Sequence, residues 1–204
     1  MTVSIALFET AIGTCGIAWG DRGLVGLQLP EENPIATRRR LQRHFPQAVE
    51  GPVPPPDVRL AIERVTALLR GEPADLTHIE VDWQRVPEFH RKVYAITRTI
   101  APGGTLTYGE IAARLGTPGA AREVGQALGR NPFPLVIPCH RVVAAGGKLG
   151  GFSATGGART KLRLLEIEGA VVRTPDLFEN LPAGEPAGRR PQTPEAANSG
   201  RSAR

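Results

Sequence analysis

The sequence predicts an α+β fold, in which an N-terminal antiparallel β-sheet with helices precedes a mostly helical C-terminal domain that contains a helix-turn-helix. Short β-rich segments separated by turn residues occupy residues 3–29. Segments with helical apolar spacing and capping residues dominate from residue 85 onward. Hydrophobic residues make up 41% of the 204 residues, which suffices for a core and excludes wholesale disorder.

The N-terminal domain, residues 1–84, begins with a predicted antiparallel meander. Gly13 and the turn residues Asp21-Arg22-Gly23 separate its strands. The strand segments are residues 3–8, 14–19 and 24–29, with one more strand possible at residues 78–81.

Two helices are predicted to follow this meander. Asn33 is a good cap and Pro34 a good first residue for a helix that extends to about Phe45. Beyond a stiff proline-rich connector, Asp57 is predicted to cap a second helix that Gly71 ends.

The C-terminal domain, residues 85–173, is predicted to begin and end with helices. Pro102 and two glycines end the first helix, and the last spans residues 157–167 with Leu162 and Leu165 facing inward. The first helix carries one apolar stripe of residues spaced four, three and four apart: Phe89, Val93, Ile96 and Ile100.

Between them lie two short helices joined by a tight turn. Residues 107–110 form a T-x-x-E capping box, and Gly116 stops the helix that it opens. Thr117 and Pro118 then predict the start of a second helix that reaches about Leu128. The pair fits a helix-turn-helix, although helical hairpins that bind no DNA are also common.

The net charge of +5 is concentrated in one part of the chain. Residues 1–84 carry 8 basic and 11 acidic side chains, whereas residues 85–173 carry 13 and 5. An excess confined to one block suggests an anionic partner such as nucleic acid, although a generally arginine-rich proteome would also produce it. The tail, residues 174–204, has 4 of each sign, lacks apolar content and is predicted to be disordered from about residue 181.

The sequence shows no membrane span, no secretory signal and no metal site. Two cysteines, Cys15 and Cys139, form neither a disulfide framework nor a zinc ribbon, so we expect a reduced, cytoplasmic protein without a membrane partner. Cys15 lies in a strand pattern and is expected to be a small buried core residue.

The residues best suited to covalent chemistry lie together in one loop, Pro138-Cys139-His140-Arg141. A thiolate is the reactive form of cysteine, and a nearby base or cation favours it. Because adjacent side chains in an extended segment point apart, a water could relay the proton between Cys139 and His140. The alternative is a structural cysteine, but glycine- and proline-rich irregular segments are where function concentrates.

This loop resembles the active-site motif of the O6-alkylguanine-DNA alkyltransferases, also called methylated-DNA–protein-cysteine methyltransferases. Four other segments resemble the same family in order and with compatible spacing. They are Thr107-Tyr108-Gly109-Glu110-Ile111-Ala112, Ala121-Arg122-Glu123-Val124-Gly125-Gln126-Ala127, Asn131-Pro132 and Leu165-Glu166-Ile167-Glu168-Gly169. The resemblance covers about residues 85–170 and implies a ribonuclease-H-like layout in the N-terminal domain and a winged-helix-like C-terminal domain.

The resemblance implies repair of double-stranded DNA that contains O6-alkylguanine, and of O4-alkylthymine as well, by irreversible transfer of the alkyl group to Cys139. His140 would take the thiol proton, Glu168 would orient His140, and Tyr108 would donate to guanine N3. It implies no cofactor and a monomeric protein.

The remaining roles that the resemblance implies concern DNA and the substrate pocket. Arg122 would fill the space that the flipped nucleotide leaves in the stack. The other DNA-binding positions are Ala121, Thr107, Gly125 and Gln126. The pocket positions are Val142, Phe152, Ser153, Asn131 and Arg141, with Asn131 holding the turn before the reactive loop.

The chain departs from the family's pattern in the pocket loop. Phe152 stands where the family often has tyrosine, and the loop through Gly157 is two residues longer than the common form. Three other functions stay open: a non-catalytic alkyltransferase-like lesion binder, a helix-turn-helix regulator, and a Cys–His hydrolase.

Overall fold

The structure is a computed structural model, and it describes residues 2–51 and 53–171. The predicted tail, residues 174–204, lies outside the described residues. No helix among the described residues is both long and apolar enough to cross a membrane.

The N-terminal sheet contains the predicted meander and one additional short strand. Its strands are β1 (Ser4–Thr10), β2 (Gly13–Gly20), β3 (Gly23–Gln28) and β4 (Val49–Glu50). Their order is β3-β2-β1-β4; the first three strands are antiparallel, and β4 pairs with β1 in parallel. The tight turns before β2 and β3 use glycines with positive φ, as the punctuation of the sequence predicts.

Two helices belong to this half, α1 (Pro34–His44) and α2 (Pro56–Leu69). The predicted start of α1 is confirmed, because the Asn33 side chain accepts a hydrogen bond from the backbone N–H of Ala36. The predicted cap of α2 is wrong: Pro55 is the N-cap, and Asp57 lies inside the first turn, where its charge suits the helix dipole.

The possible strand at residues 78–81 does not form. Val81 makes an isolated bridge to Leu24, and the segment hydrogen-bonds to Leu24 through Glu80 and Asp82. A one-turn 3₁₀ helix, Trp83–Arg85, then leads into the C-terminal half.

The C-terminal half consists of α3 (Glu88–Arg98), α4 (Tyr108–Arg114), α5 (Ala121–Gly129) and α6 (Ala158–Ile167). The predicted capping box is present in full at the start of α4. The predicted start of α5 is wrong, because Gly119 has a φ of 107°, which breaks the helical path after Thr117 and Pro118.

Two predicted apolar faces are confirmed only in part, because Val93, Ile100 and Leu165 are buried whereas Phe89 and Leu162 are not. Phe89 is 36% exposed, and Tyr94 and Thr97 join Val93 on the buried side of α3. In α6 Leu165 is buried as predicted, whereas Leu162 is half-buried and the other buried positions are Lys161 and Leu164.

A short parallel pair joins the helix pair to the reactive loop. The strands β5 (Leu106–Thr107) and β6 (Val142–Val143) match Leu106 with Val142 and Thr107 with Val143. This pairing places the start of α4 directly beside the segment that follows Cys139. One continuous apolar core includes residues from both predicted domains, among them Trp19, Val65, Tyr94, Ile137 and Leu164.

Candidate active site

Cys139 begins a one-turn 3₁₀ helix, Cys139–Arg141, at the end of a buried apolar segment. Asn131 holds that segment in a turn: its side-chain amide donates to the carbonyl of Ile137 at 2.8 Å, and its Oδ1 accepts from the N–H of Phe133 at 2.9 Å. Leu135, inside the turn, has a φ of 72°, a conformation that costs a non-glycine residue about 1 kcal/mol. The surrounding structure therefore pre-positions Cys139 at the expense of some local strain.

His140, the next residue, is fully buried and hydrogen-bonds to a carboxylate. Its Nε2 lies 3.0 Å from Oε1 of Glu168, at the end of α6. Burial would raise the pKa of the Glu168 carboxyl, but its hydrogen bonds with His140 and Arg141 lower that pKa to about 2. Glu168 is therefore ionised and orients the imidazole with Nε2 as the hydrogen-bond donor.

The other nitrogen of His140 has no hydrogen-bond partner among the described residues. Nδ1 is buried, and buried polar atoms are normally paired with protein or water. Burial lowers the pKa of the imidazole, and the hydrogen bond to Glu168 opposes this effect. His140 is therefore a neutral base with an available lone pair on Nδ1.

Arg141 is predicted to line the substrate pocket, and the structure corrects this placement. Its guanidinium contacts both oxygens of Glu168 at 2.8 Å and donates to the carbonyl of Ile100. It lines a cavity of about 690 Å³ that Cys139 does not border, and it lines neither of the cavities that reach Cys139. The reason is electrostatic, because a buried guanidinium needs an anionic partner and Glu168 supplies it.

Cys139 is 8% exposed, and burial raises the pKa of its thiol. A hydrogen bond with Asn131 and the positive charge of Lys161 act in the opposite direction. The resting sulfur is therefore a protonated thiol, and proton removal must accompany its attack on a substrate.

Lys161 belongs to the candidate site although the sequence did not predict it. Its side chain is fully buried, and its Nζ donates to the carbonyls of Val142 at 2.5 Å and Gly151 at 3.3 Å. Burial lowers the pKa of Lys161 to about 8, and Cys139 opposes the shift. The helical spacing could have indicated that Lys161 faces the site. Residues 161, 164, 165 and 168 share one face of the helix, and on that face Leu164 and Leu165 are buried and Glu168 binds His140.

Two cavities reach Cys139, and Phe152 and Ser153 border both. The smaller, of about 130 Å³, is also lined by Tyr108, Gly125 and Leu128. The larger, of about 450 Å³, continues past Asn131 and Ala154 to residues of α1 and β3. A planar group in the smaller cavity and a substituent directed into the larger one would both have access to the sulfur.

Tyr108 is placed by the capping of α4, where Thr107 is the N-cap. Burial raises the pKa of the Tyr108 hydroxyl, which therefore stays protonated and able to donate. The Lys161 ammonium lies 5.8 Å from the centre of its ring. On the neighbouring helix, a Cβ added to Gly125 would come 3.8 Å from the ring, so the two helices pack closely here.

The outer face of α5 carries the other predicted DNA-binding positions. Arg122 and Gln126 are exposed, while Ala121 and Gly125 are half-buried. Val142, predicted to line the pocket, is fully buried, and its carbonyl already accepts from Lys161. Among the described residues no group of three or more His, Cys, Asp or Glu side chains is arranged to hold a metal ion.

Comparison with known proteins gives consistent matches. The profile of the family described as 6-O-methylguanine DNA methyltransferase, DNA binding domain, matches residues 88–170. A methylated-DNA–protein-cysteine methyltransferase of Methanothermobacter thermautotrophicus is 36% identical over 154 residues, which are 76% of this chain and 78% of the relative. A protein of the same name from Mycolicibacterium paratuberculosis is 41% identical over 145 residues, 70% of this chain and 85% of the relative.

Solved structures match over most of the described fold. The crystal structure of Mycobacterium tuberculosis OGT in complex with DNA has a TM-score of 0.67 and 33% identity, covering 81% of this chain and 92% of that one. The O6-methylguanine-DNA methyltransferase of Pyrococcus kodakaraensis has a TM-score of 0.63 and 28% identity, covering 83% of this chain and all of that one.

Proposed function

Since the chain belongs to the methylated-DNA–protein-cysteine methyltransferase family, we propose that it repairs DNA by moving an alkyl group from O6 of guanine to its own Cys139. The observation that carries the assignment of the nucleophile is local. A thiol at the junction of two cavities precedes a buried imidazole whose Nε2 is bound to Glu168 and whose Nδ1 has no partner among the described residues.

The transfer is a single displacement at carbon. The sulfur of Cys139 forms a bond to the alkyl carbon, the bond from that carbon to O6 breaks, and its electron pair stays on the guanine. Lys161 supports this step because its ammonium favours negative charge on the sulfur as the proton leaves.

The thiol proton passes to Nδ1 of His140 through a water. Glu168 then stabilises the imidazolium, and the pair of bonds from Arg141 keeps the carboxylate ionised in its buried position. This arrangement explains how a thiol with a raised pKa can react: the base removes its proton during the attack.

The negative charge that develops on the leaving guanine is stabilised by hydrogen bonds on its side of the pocket. Tyr108 borders the smaller cavity, and its hydroxyl stays protonated, so it can donate to N3 of the leaving purine. Ser153 borders both cavities, and a backbone N–H beside it would meet O6. Cys139 would offer its carbonyl to the exocyclic amine, and Val142 would do so with the carbonyl lone pair that Lys161 does not use.

The substrate base must leave the stack, because Cys139 is buried and the target carbon lies inside the duplex. The exposed face of α5 presents Arg122 and Gln126 to DNA, and the guanidinium of Arg122 would occupy the vacated position. Thr107, Ala121 and Gly125 would place the backbones of α4 and α5 near the phosphates.

The product is a thioether, which offers no easy leaving group, so each molecule repairs one lesion. O4-alkylthymine is proposed as a second substrate. No cofactor takes part in the proposed steps, and we propose a monomer that acts in the cytoplasm, where both cysteines stay reduced.

A test uses excess duplex oligonucleotide containing one O6-methylguanine, followed by mass analysis of the tryptic peptide that holds Cys139. Stoichiometric gain of one methyl group on Cys139, and none on Cys15, is expected. Cys139→Ala should bind the duplex without accepting the group, and residual transfer by this variant would refute the assignment of the nucleophile. Binding without transfer by the unaltered chain would favour a lesion binder or a regulator, and turnover of an ester would favour a hydrolase.

A further inference from the structure

The loop that borders the cavities beside Cys139 is hydrogen-bonded to the N-terminal half of the chain. Residues 151–157 connect β6 and its following turn to α6 without regular structure. Within this loop, Oγ1 of Thr155 donates a hydrogen bond of 2.5 Å to Oε2 of Glu31. Glu31 lies 124 positions earlier, just before α1.

Glu31 is held firmly on its own side of this contact. Its Oε1 accepts from Nε2 of Gln28 at 3.1 Å and contacts Nε of Arg40 at 3.2 Å. Its backbone N–H donates to Oγ1 of Thr37, which is fully buried. The carboxylate is only 12% exposed, so its free oxygen is fixed in position to receive Thr155.

Thr155 is held from the other side as well. Its carbonyl accepts from Oγ1 of Thr160 in α6 at 2.6 Å. The next residue, Gly156, has a φ of 83°, and a Cβ there would lie 2.3 Å from that Thr160 oxygen. The loop therefore makes a tight turn that places the Thr155 hydroxyl between α6 and Glu31.

These contacts join the two walls of the larger cavity. One wall consists of Phe152, Ser153 and Ala154, immediately before Thr155, and the other includes Arg40 and side chains of α1 and β3. Arg40, which borders the cavity, is also the ion-pair partner of Glu31. The Glu31–Thr155 contact therefore links the loop on one side of the cavity to Arg40 on the other.

We propose that Glu31 is a positioning residue that sets the width of this cavity through Thr155 and thereby selects the size of the alkyl group transferred to Cys139. The inference rests on the proposed alkyl transfer. With the contact in place, the loop lies close to Cys139 and suits a small alkyl group. Without it, residues 152–154 can withdraw, so a bulky group gains room while a methyl group is held less well.

The test compares the second-order rate constants for O6-methylguanine and O6-benzylguanine in the same duplex oligonucleotide. Thr155→Val keeps the side-chain shape and removes the hydroxyl, and Glu31→Gln removes the charge that strengthens the bond. We expect the benzyl-to-methyl rate ratio to rise about threefold to tenfold in each variant, as the loss of one exposed hydrogen bond to a carboxylate allows. The double variant should show no more than the larger single effect, because both substitutions break one contact.

Two control variants distinguish a positioning role from a nonspecific loss of activity. Thr155→Ser retains the hydroxyl and should restore the ratio of the unaltered chain, and Glu32→Gln changes an exposed neighbouring carboxylate. An unchanged benzyl-to-methyl rate ratio in Thr155→Val, or an equal loss of rate with both substrates, overturns the inference. In either case, methyl transfer by the unaltered chain still supports the proposed function. If the unaltered chain methylates no cysteine, the proposed function and this inference fall together.

Discussion

Replacing Glu168 by glutamine tests whether a buried negative charge is needed behind His140. The carboxylate is 2% exposed and accepts from Nε2 of His140 and from two nitrogens of Arg141. Glutamine has nearly the same shape but no charge, and it can satisfy only some of these donors. Glu168→Gln therefore removes the stabilisation of the imidazolium and the counter-ion of a guanidinium that is 7% exposed.

The loss of the charge should change both the rate of methyl transfer and the free energy of unfolding. A positioned general base contributes on the order of 10² to 10⁴ to a rate, so we expect methyl transfer to slow about 100-fold. Leaving one partner of a buried ion pair uncompensated costs about 3–5 kcal/mol, and the glutamine oxygen retains some hydrogen bonding, so we expect a loss of about 3 kcal/mol in the free energy of unfolding.

The assay is single-turnover methylation of Cys139 by excess duplex substrate, with urea unfolding measured on the same samples. Glu166→Gln, on an exposed position of α6 two residues away, is the matched control and should change neither quantity. A transfer rate within threefold of the unaltered chain, in a Glu168→Gln protein shown to be folded, would refute the proposed role of the charge.

The pH dependence of the free energy of unfolding tests the charge of Glu168 independently of the transfer rate. The pKa of Glu168 is about 2 in the folded protein, below its ordinary value of 4.5. Its contribution is therefore complete above pH 4.5 and disappears as the pH falls from 4.5 towards 2. The difference in the free energy of unfolding between the unaltered chain and Glu168→Gln should shrink as the pH falls through that interval. A difference that stays constant would contradict the lowered pKa of Glu168.

Three further outcomes are expected. Arg122→Ala should slow repair of duplex DNA more than reaction with free O6-benzylguanine, and equal losses would count against insertion into the stack. Lys161→Met should slow transfer about tenfold because it removes the positive charge near the sulfur, whereas Lys148→Met, at an exposed site, should have no effect. Because burial lowers the pKa of His140 below 6.5, the transfer rate should stay level from about pH 7.5 to 6.5 and decline only at lower pH; a decline that begins above about pH 7 would contradict this assignment.

The elements that the sequence predicted well are those determined by neighbouring residues. The capping box of Thr107 and Glu110 is closed by atoms three residues apart, and the glycine turns around β2 follow from backbone sterics. The predicted start of α5 was wrong because Thr117 and Pro118 suit a helix start, but Gly119 places the chain in a non-helical conformation before Ala121.

The reactive loop and the family could also be identified from the sequence alone, since the relevant residues form short ordered segments. Which partner each side chain takes required the tertiary structure. Arg141 lines neither cavity that reaches Cys139, because its guanidinium is paired with the buried carboxylate of Glu168. Lys161 joins the candidate site because α6 packs it against the carbonyls of Val142 and Gly151.

The sequence by itself identified the family and predicted a reactive cysteine followed by a base, together with a pair of short helices for binding DNA. The tertiary structure decided the electrostatic setting of that cysteine and the walls around it. His140 meets Glu168 across 28 positions, and Thr155 meets Glu31 across 124. Contacts at such separations depend on how helices and strands pack, and local propensity carries no information about them.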